Sequence, residues 1–381
     1  MTPNPSSSQP VFMQGNEALF RGAVAAGARF YGGYPITPSS EIAGLAADIL
    51  PTLGGVYLQM EDEIASIAAV IGASLAGVPS FTATSGPGFS LMQENLGFAY
   101  MAEVPCVVIN VMRSGPSTGL ATMPAQADVM QARWGTHGDH PALALCPATV
   151  QECYELSALA LAWSEQFRLP VVVLADQVIG HLREPVTIPE SVPCAVRRAP
   201  TGPPEGYRTY AAADDGVPPL AKFGDRHIVR ANSSMHDEAG LPTTDRGIAG
   251  RLIRRLHDKV LRRPELLLFH QWHLDDADWI FVSYGIAARA TQEAVERLRG
   301  RGVKAGMVQL QTIWPHNDAL MASLAGRSKG LFVVELNLGQ LVGEVARAAC
   351  GQAPVHSICA SDGRPLLPRD IMSQALEVIG A

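Results

Sequence analysis

The sequence predicts an α/β protein with two domains of unequal size. Three observations support this prediction. Short apolar runs with strand character alternate with helical segments between residues 29 and 175, and a shorter alternation of the same kind begins near residue 266. Loops rich in Gly, Pro, Ser and Thr follow several of the predicted strands. Such alternation indicates a parallel sheet covered by helices on both faces.

A first domain is predicted over residues 13–180, after a disordered tail over residues 1–12 that is rich in Pro, Ser, Asn and Gln. Helices are predicted where small or apolar residues recur at helical spacing. The predicted helices cover residues 15–28, 40–50, 64–76, 89–101 and 150–167. The predicted strands cover residues 29–34, 56–60, 80–83, 104–112, 142–146 and 170–175.

The pattern fails over residues 181–265, where prolines, glycines and isolated charges dominate. An irregular stretch of this length is a linker, a segment that wraps a partner chain or a functional loop. A basic helix is predicted inside it, over residues 246–264. A smaller βαβ domain is predicted over residues 266–381. Its predicted strands are 278–284, 303–310 and 330–335, and its predicted helices are 287–300, 317–325, 341–350 and 368–379.

Composition limits the class of partner and the compartment. The chain has 381 residues and a formal net charge of −7 without a long charged block, which argues against nucleic acid as a partner. It has six cysteines, but no two stand in a C-x-x-C spacing, which excludes the usual local iron–sulfur, zinc-ribbon and thioredoxin-like motifs. Cys106 and Cys146 are predicted to be core residues. The sequence shows no signal peptide pattern, so a cytoplasmic, reduced protein is expected.

No charged residue occurs between Glu63 and Glu94. An uncharged run of this length raises the question of a membrane span. Pro79, the Thr/Ser cluster at 82–85 and the Gly-Pro-Gly at 86–88 divide it into helix, strand and loop, so we expect no membrane association. Glu63 would stand at the mouth of this buried region, where a carboxyl group is desolvated and a candidate for function. The alternative is that Glu63 only favours a helix N-terminus.

Four loops are predicted to meet around one ligand. Their sequences are GYPITPSS (33–40), QMEDEI (59–64), ATSGPG (83–88) and RSGPSTG (113–119). Each follows a predicted strand, and the carboxyl ends of parallel strands converge on one crevice. The Gly-Pro-Gly loop either holds an anion at a helix N-terminus or is only a tight turn. Arg113 either binds a carboxylate in this crevice or is a solvated surface residue.

Other motifs are weaker. His137 and His140, and likewise His236 beside Asp237, fit no metal-ligand spacing, so loop hydrogen bonding is favoured and no metal site is predicted in this chain. The sequence has no G-x-x-x-x-G-K-[ST] and no G-x-G-x-x-G, and its one G-x-S-x-G match, GPSTG at 115–119, comes without a plausible Ser/His/Asp order. It therefore supports neither nucleotide binding by those motifs nor a serine hydrolase.

Four segments of the chain together resemble the α subunits of 2-oxoacid:ferredoxin oxidoreductases, in particular the 2-oxoglutarate (KorA-type) branch. These segments are GYPITPSS, MEDEIA, TATSGPGFSLM and RSGPSTG. The resemblance runs from about residue 15 to the C-terminus and includes WGTHGD (134–139) and VELNLGQ (334–340). It implies a pyrimidine-binding domain for thiamine diphosphate (TPP) on the parallel sheet. A smaller α/β domain like the C-terminal domain of transketolase would follow.

The resemblance also implies roles for single residues. Glu63 matches the family glutamate that hydrogen-bonds the N1′ nitrogen of the TPP aminopyrimidine and favours its imino tautomer. Thr37 and Arg113 match positions that contact the carboxylate and keto oxygen of the 2-oxoacid. The implied substrate-binding residues are Thr37, Pro38, Ser39 and Arg113, and the implied cofactor-binding residues are Tyr34, Pro35, Ile36, Glu63, Ser85, Gly86 and Phe89.

By the same resemblance, the chain holds half of an active site. TPP would be shared with a β subunit that carries Mg²⁺ and a [4Fe–4S] cluster, and this chain accordingly lacks a Gly-Asp-Gly diphosphate motif. An (αβ)₂ assembly is expected, with ferredoxin and coenzyme A as further partners. The implied reaction is oxidative decarboxylation of 2-oxoglutarate to succinyl-CoA and CO₂, which a strong enough reductant would reverse.

Alternatives stay open. The same chemistry on a branched-chain or aryl 2-oxoacid would not need the second cation that 2-oxoglutarate requires at the far end of the pocket. Arg133, His137 or a partner residue are candidates for that cation. A non-catalytic interaction protein would keep the fold without the chemistry. A stand-alone TPP decarboxylase is disfavoured by the missing diphosphate motif.

Overall fold

The computed structural model describes residues 10–380 and contains two parallel-rich sheets with helices packed on them, which confirms the predicted α/β fold class. The first strands are β1 (Val11–Gln14), β2 (Phe30–Gly33), β3 (Val56–Gln59), β4 (Ser80–Thr84), β5 (Cys106–Met112), β6 (Ala144–Leu145), β7 (Pro170–Asp176) and β8 (Arg183–Val186). The first helices are α1 (Gly15–Ala25), α2 (Ser40–Ile49), α3 (Glu63–Leu75), α4 (Gly86–Leu91), α5 (Gln93–Met101), α6 (Val129–Trp134), α7 (Val150–Phe167) and α8 (Gln177–His181).

The remaining elements begin with a helix in the irregular segment and continue into the second domain. The helices are α9 (Arg246–Leu261), α10 (Gly285–Gly300), α11 (Asp318–Ala325), α12 (Val342–Ala349) and α13 (Pro368–Ile379). The strands are β9 (Phe269–Trp272), β10 (Trp279–Ser283), β11 (Ala305–Leu310), β12 (Thr312–Trp314), β13 (Gly330–Glu335) and β14 (Val355–Cys359).

The larger sheet has seven strands in the order β12-β6-β7-β5-β4-β2-β3. Its central strands β5 and β7 pair in parallel along their whole length, from Cys106 beside Pro170 to Met112 beside Asp176. Every residue of both strands is buried, which is typical of a parallel sheet covered on both faces. Because β2, β3, β4 and β5 all run in parallel, the loops that follow them leave from one edge of the sheet.

The smaller sheet has five strands in the order β14-β13-β10-β11-β9, and β9 is its one antiparallel member. Strand β12, which follows β11 along the chain, does not join this sheet. It pairs with β6 of the larger sheet, so that Thr312 lies beside Leu145. The two sheets are therefore linked by backbone hydrogen bonds as well as by side-chain packing, and no local sequence pattern predicted this.

Most predicted elements are present, and helix 150–167, strand 330–335 and helix 368–379 are confirmed to the residue. The predicted helix 89–101 is instead two helices, because α4 begins at Gly86 and ends before Met92. Strand β1 begins at Val11, inside the predicted tail, because it pairs with the distant strand β8. Residues 1–9 of that predicted tail lie outside the described residues.

Helix α9 is attached to the first domain by a buried group of charges. The Glu103 carboxylate accepts hydrogen bonds from Lys259 Nζ at 2.7 Å and from Arg255 Nη2 at 2.6 Å. Burial by itself would raise the pKa of Glu103, but attraction to Lys259 and Arg255 outweighs it and holds that pKa well below its usual range. Burial lowers the pKa of Lys259 to about 8, against the opposing effect of Glu103. The irregular segment is thus anchored through its one long helix.

Gln126 joins the two domains. Its Nε2 donates to the carbonyl of Tyr284 at 2.9 Å, and its Oε1 accepts from the backbone N–H of Leu336 at 3.0 Å. Asp176, at the end of β7, accepts from the backbone N–H of Ile286 at 2.7 Å, and burial raises its pKa to about 6. These contacts hold the loop at 336–340 over the carboxyl edge of the larger sheet.

The uncharged run between Glu63 and Glu94 folds as α3, β4 and α4, which confirms its predicted division. No helix between residues 10 and 380 is long and apolar enough to cross a membrane. Cys106 and Cys146 are buried core residues as predicted, and burial raises the pKa of Cys106 to about 12.

Candidate active site

The four predicted loops all leave the carboxyl edge of the larger sheet, after β2, β3, β4 and β5. The structure brings their functional candidates together. Arg113, after β5, donates from Nη1 to the carbonyl of Thr37, after β2, at 2.5 Å. Glu63, after β3, packs against the Gly88 backbone of the helix that follows β4. One crevice therefore collects residues that are far apart in the sequence.

Glu63 is the first residue of helix α3. Asp62 caps this helix by accepting a hydrogen bond from the backbone N–H of Ala65 at 2.7 Å. The body of α3 is apolar and buries Ile67, Val70 and Ile71 against the sheet, which fixes the helix start at the crevice. The Glu63 side chain is 5% exposed. Its pKa is raised above the ordinary value chiefly by burial, although the positive charge of Arg113 opposes the shift.

Gly88 lies directly against this carboxyl group. A Cβ atom built on Gly88 would lie 2.3 Å from Glu63 Oε1 and 2.1 Å from Thr84 Oγ1. Both distances are far shorter than a van der Waals contact, so a side chain at this position would displace Glu63 or Thr84. The glycine is therefore required by close packing, since Gly88 begins no turn with a positive φ.

Arg113 is 7% exposed, so the solvated-surface alternative for it is wrong. One end of its guanidinium group is held by the Thr37 carbonyl, and its Nε is buried without a hydrogen-bond partner among residues 10–380. An arginine that is buried without a paired carboxylate keeps its charge available for an anion. The crevice can therefore bind a carboxylate beside Glu63.

Asp128 also belongs to the crevice, and sequence reasoning missed it. Asn110, at the buried centre of β5, donates from Nδ2 to Asp128 Oδ2 at 2.9 Å. Burial raises the pKa of Asp128, while Asn110 and Arg113 lower it. A lone acid in the stretch Ala-Gln-Ala-Asp at 125–128 was a weak signal, because nothing local shows that the chain returns to the carboxyl end of β5.

A cavity of about 440 Å³ opens beside Arg113 and lies between the two domains. On the first-domain side it is lined by Gly86, Asp128 and Gln131. On the second-domain side it is lined by residues of the 336–340 loop and by Ser361. The VELNLGQ sequence thus forms a wall of the site. A volume of this size suits a small organic ligand.

The other predicted residues are arranged around this centre. Tyr34, Pro35 and Thr37 are exposed on the loop after β2, with Ile36 half-buried, and the Ser39 hydroxyl donates to the Ile36 carbonyl at 2.9 Å. The Pro38 carbonyl accepts from Asn16 Nδ2 at 2.7 Å, which ties the loop to helix α1. Ser85 is buried, and Gly86 lines the cavity. The Phe89 side chain is fully buried in the hydrophobic core.

Two candidates for the far end of the pocket lie elsewhere. Arg133 donates to the carbonyl of His140 at 2.9 Å and stacks on Trp134, and it does not line the cavity. His137 is exposed on the following loop. Arg113 is the one cationic side chain among the described residues that line this cavity. No group of three or more His, Cys, Asp or Glu side chains within residues 10–380 is placed to hold a metal ion.

The crevice contains polar groups that a ligand would satisfy. Ser85 Oγ, Asn110 Oδ1 and Arg113 Nε are buried without a hydrogen-bond partner in the described chain. The Glu63 carboxylate likewise accepts no hydrogen bond from another described residue, as its only hydrogen bond comes from its own backbone. Buried polar groups in proteins are normally paired. A planar heterocycle with nitrogen donors and acceptors fits this set of residues.

Comparison with known proteins agrees with this geometry. Residues 21–250 match the family model "Pyruvate flavodoxin/ferredoxin oxidoreductase, thiamine diP-bdg", and residues 277–371 match "Pyruvate:ferredoxin oxidoreductase core domain II". The first model covers the sheet edge that carries Glu63 and Arg113. It therefore identifies the first domain as a TPP-binding domain.

The chain is also similar to individual members of this family along nearly its whole length. The chain is 45% identical over 373 residues to the 2-oxoglutarate synthase subunit KorA of Methanothermobacter thermautotrophicus, covering 97% of this chain and 99% of the relative. It is 33% identical over 371 residues to the ketoisovalerate oxidoreductase subunit VorB of the same organism, covering 97% of each chain.

A solved structure gives the same result for the fold. The 2-oxoglutarate:ferredoxin oxidoreductase of Magnetococcus marinus, with 2-oxoglutarate, coenzyme A and succinyl-CoA bound, superposes with a TM-score of 0.90 at 32% identity. The match covers 98% of this chain and 66% of that chain. The fold, the matched domains and the near-full-length identities agree. This chain belongs to the 2-oxoacid:ferredoxin oxidoreductase family.

Proposed function

We propose that this chain is the α subunit of a 2-oxoglutarate:ferredoxin oxidoreductase. The enzyme converts 2-oxoglutarate, CoA and two oxidised ferredoxins into succinyl-CoA, CO₂, a proton and two reduced ferredoxins. The observation that carries the proposal is the buried Glu63 carboxyl group, packed on Gly88 and next to the unpaired guanidinium of Arg113. This pair offers a proton-sharing acid and an anion-binding cation, both buried in one crevice. The relative named as a 2-oxoglutarate synthase subunit supports the choice of substrate.

Glu63 is the residue that we assign to the aminopyrimidine of TPP. When bound, TPP supplies the carbon nucleophile and the electron sink for decarboxylation. A carboxyl group whose pKa is raised by burial retains its proton more readily, so Glu63 can share that proton with a ring nitrogen. Ser85 Oγ, which lacks a partner in the described chain, is available to the same ligand. Tyr34, Pro35, Ile36, Gly86 and Phe89 shape the surrounding loops.

Arg113 is assigned to the 2-oxoacid. Its Nη1 is fixed on the Thr37 carbonyl, which orients the planar group, and its buried Nε remains free for a carboxylate or keto oxygen. Thr37, Pro38 and Ser39 belong to the same loop and position this contact. Since the cavity offers no second cation from the described part of this chain, we infer that a residue of the partner subunit binds the distal carboxylate of 2-oxoglutarate.

We infer that a partner subunit covers the crevice. Large apolar side chains surround it in exposed positions, including Leu58, Ile64 and Leu91 on the β3 and β4 side and Leu120 and Leu338 on the cavity side. Leu338 is 87% exposed, which is unusual for a leucine in a well-packed loop. We propose that a β subunit packs here and carries Mg²⁺, the diphosphate site and the [4Fe–4S] cluster, in an (αβ)₂ assembly.

The test is co-expression of this chain with its β partner, followed by anaerobic assay of CoA-dependent viologen reduction with a panel of 2-oxoacids. We expect turnover of 2-oxoglutarate to exceed that of 2-oxoisovalerate and aryl 2-oxoacids. The reverse ranking would leave the proposed mechanism unchanged but would assign the substrate to the branched-chain or aryl 2-oxoacids.

A matched pair of variants tests the catalytic assignment in the same complex. Glu61 is exposed and lies two residues from the buried Glu63, so Glu61→Gln is the control for Glu63→Gln. We expect loss of activity only in Glu63→Gln. Unchanged activity in Glu63→Ala would favour the non-catalytic interaction protein instead.

A further inference from the structure

A second and larger cleft lies on the opposite edge of the larger sheet. It encloses about 1070 Å³ between helix α9 and the loops at 208–216 and 236–239. The residues that anchor α9, Glu103 and Arg168, precede strands β5 and β7, whereas Arg113 follows β5. Strand β5 has seven residues, so the cleft is separated from the active site by about 20 Å of buried strand. It is not part of the site described above.

The floor of the cleft is polar, and its side chains are held by hydrogen bonds and a ring contact. Lys259 is held by Glu103, and the His236 ring packs on the Tyr210 ring with centroids 3.9 Å apart. His236 Nδ1 lies 2.8 Å from the Ser234 carbonyl, which can only accept, so Nδ1 carries the hydrogen. Burial lowers the pKa of His236, which favours the neutral ring. Its Nε2 is therefore an acceptor, and it has no partner among the described residues although the side chain is 1% exposed.

The wall of the cleft carries positively charged side chains that have no ion-pair partner in the described chain. Residues 246–263 contain seven Lys or Arg and one acidic residue, in a chain whose formal net charge is −7. Arg251 and Arg254 make no ion pair or hydrogen bond with any described residue, and both line the cleft. They stand three positions apart on α9, so they share one face of the helix.

Most acids of the cleft are already neutralised by other arginines. Three such pairs have N–O distances of 2.5, 3.3 and 2.7 Å, and they are Asp215 with Arg198, Glu238 with Arg208 and Asp258 with Arg262. The carboxylate of Asp237 accepts from the backbone N–H groups of Ala239 and Leu241. Asp214 is the lining acid without a partner in the described chain. The two unpaired arginines thus line the cleft together with two acids that no cation neutralises, Asp214 and Asp237.

We propose that this cleft is a binding site for a phosphorylated small molecule of nucleotide size. Guanidinium groups bind phosphate in a bidentate manner, so Arg251 and Arg254 would hold the phosphates. The Nε2 of His236 would accept a hydrogen bond from a hydroxyl or N–H group of the same ligand. The volume of about 1070 Å³ slightly exceeds the usual upper limit of about 1,000 Å³ for small-molecule sites and is ample for such a compound.

The test uses ADP and inorganic pyrophosphate as probes, added without Mg²⁺ to the purified chain of 381 residues, and binding is measured by calorimetry. We expect the double variant Arg251→Ala/Arg254→Ala to weaken both probes by at least about tenfold, because each charged hydrogen bond is worth about that factor. The control is Arg226→Ala/Arg301→Ala, which removes two exposed arginines outside the cleft and leaves binding unchanged. Unliganded melting temperatures establish that all variants are folded.

A third variant tests the histidine. His236→Phe keeps a ring on Tyr210 and removes Nε2, so ADP should bind about two- to tenfold more weakly while pyrophosphate is unaffected. Equal affinity of the wild-type chain and the Arg251→Ala/Arg254→Ala variant would overturn the proposal. It would also be overturned if neither probe bound the wild-type chain, or if only an acidic peptide such as hexaglutamate did.

Discussion

Glu63 and Gly88 are in direct contact, and a Cβ atom at position 88 would lie 2.3 Å from Glu63 Oε1. The glycine lies in helix α4, which follows β4, and the glutamate is the first residue of helix α3, which follows β3. Their contact places a carboxyl group against bare backbone at the centre of the crevice. The position of Glu63 therefore depends on the absence of a side chain elsewhere in the sequence.

Gly88→Ala should inactivate the enzyme without unfolding it. The added methyl group would push the Glu63 carboxylate and Thr84 Oγ1 from their positions, and loss of a positioned acid costs about 10² to 10⁴ in rate. The measurement is kcat of the αβ complex with 2-oxoglutarate, with circular dichroism as a check on folding. Gly44→Ala is the control, since a Cβ there meets nothing within 4 Å. Wild-type turnover in Gly88→Ala would show that the contact has no catalytic role.

Glu63→Gln should lose activity by a similar factor while the unliganded chain becomes as stable as the wild type or more so. The pKa of Glu63 is raised, so the folded state holds this proton more tightly than the unfolded state. The destabilisation that results is absent below the ordinary carboxyl pKa and grows as pH rises through the folded pKa. Thermal melts between pH 4 and 8 measure it. A melting temperature at neutral pH well below that of the wild type would contradict this account.

Arg113→Ala should raise the KM for 2-oxoglutarate by at least about tenfold, since a buried charge-assisted contact to the carboxylate is worth about 1.5–3 kcal/mol. Arg133→Ala serves as the matched control. It removes an arginine of the neighbouring helix α6 that donates to the His140 carbonyl and does not line the cavity. Steady-state kinetics on the complex distinguish the two variants. A larger rise in KM for Arg133→Ala would place the substrate on the other side of this helix.

Lys259→Ala should destabilise the chain by about 3–5 kcal/mol, because it leaves the buried Glu103 carboxylate with one of its two charged partners. Urea denaturation at pH 7 measures the loss. The control is Lys329→Ala, which breaks the exposed pair with Asp278 and should cost about 1 kcal/mol or less. If both variants lost the same stability, the buried charge group would not be what anchors α9.

Gln126→Ala should loosen the second-domain wall of the cavity. It removes the acceptor for the Leu336 N–H and the donor to the Tyr284 carbonyl, and each buried group left unpaired costs about 1–3 kcal/mol. Lower stability and a raised KM are expected together. Gln352→Ala is the control, because Gln352 is exposed and distant from the cavity. A change in stability without a change in KM would show that the second-domain wall of the cavity does not contribute to substrate binding.

Local sequence was enough to predict much of this protein. The alternation of apolar runs predicted the parallel sheet, since a strand buried on both faces is apolar along nearly its whole length, as in β5 and β7. Strand direction then placed the loops of Glu63 and Arg113 at one edge. Motif resemblance predicted that Glu63, rather than Glu61, is the catalytic residue. In the structure Glu63 is buried and Glu61 is exposed.

Tertiary structure decided the features that depend on segments distant in the chain. The approach of Asp128 to Asn110, the 336–340 wall and the exchange of β12 into the larger sheet all depend on contacts between separated segments. The same holds for the cleft along α9, whose basic residues were visible in the sequence while the buried, unpaired Nε2 of His236 was not. Sequence by itself determined the fold class and the residues able to do the chemistry. The reason is that short stretches of sequence already show the apolar runs of buried strands and the periodicity of helices. Packing between distant segments of the chain decided which of those residues are in contact and which charges remain unpaired.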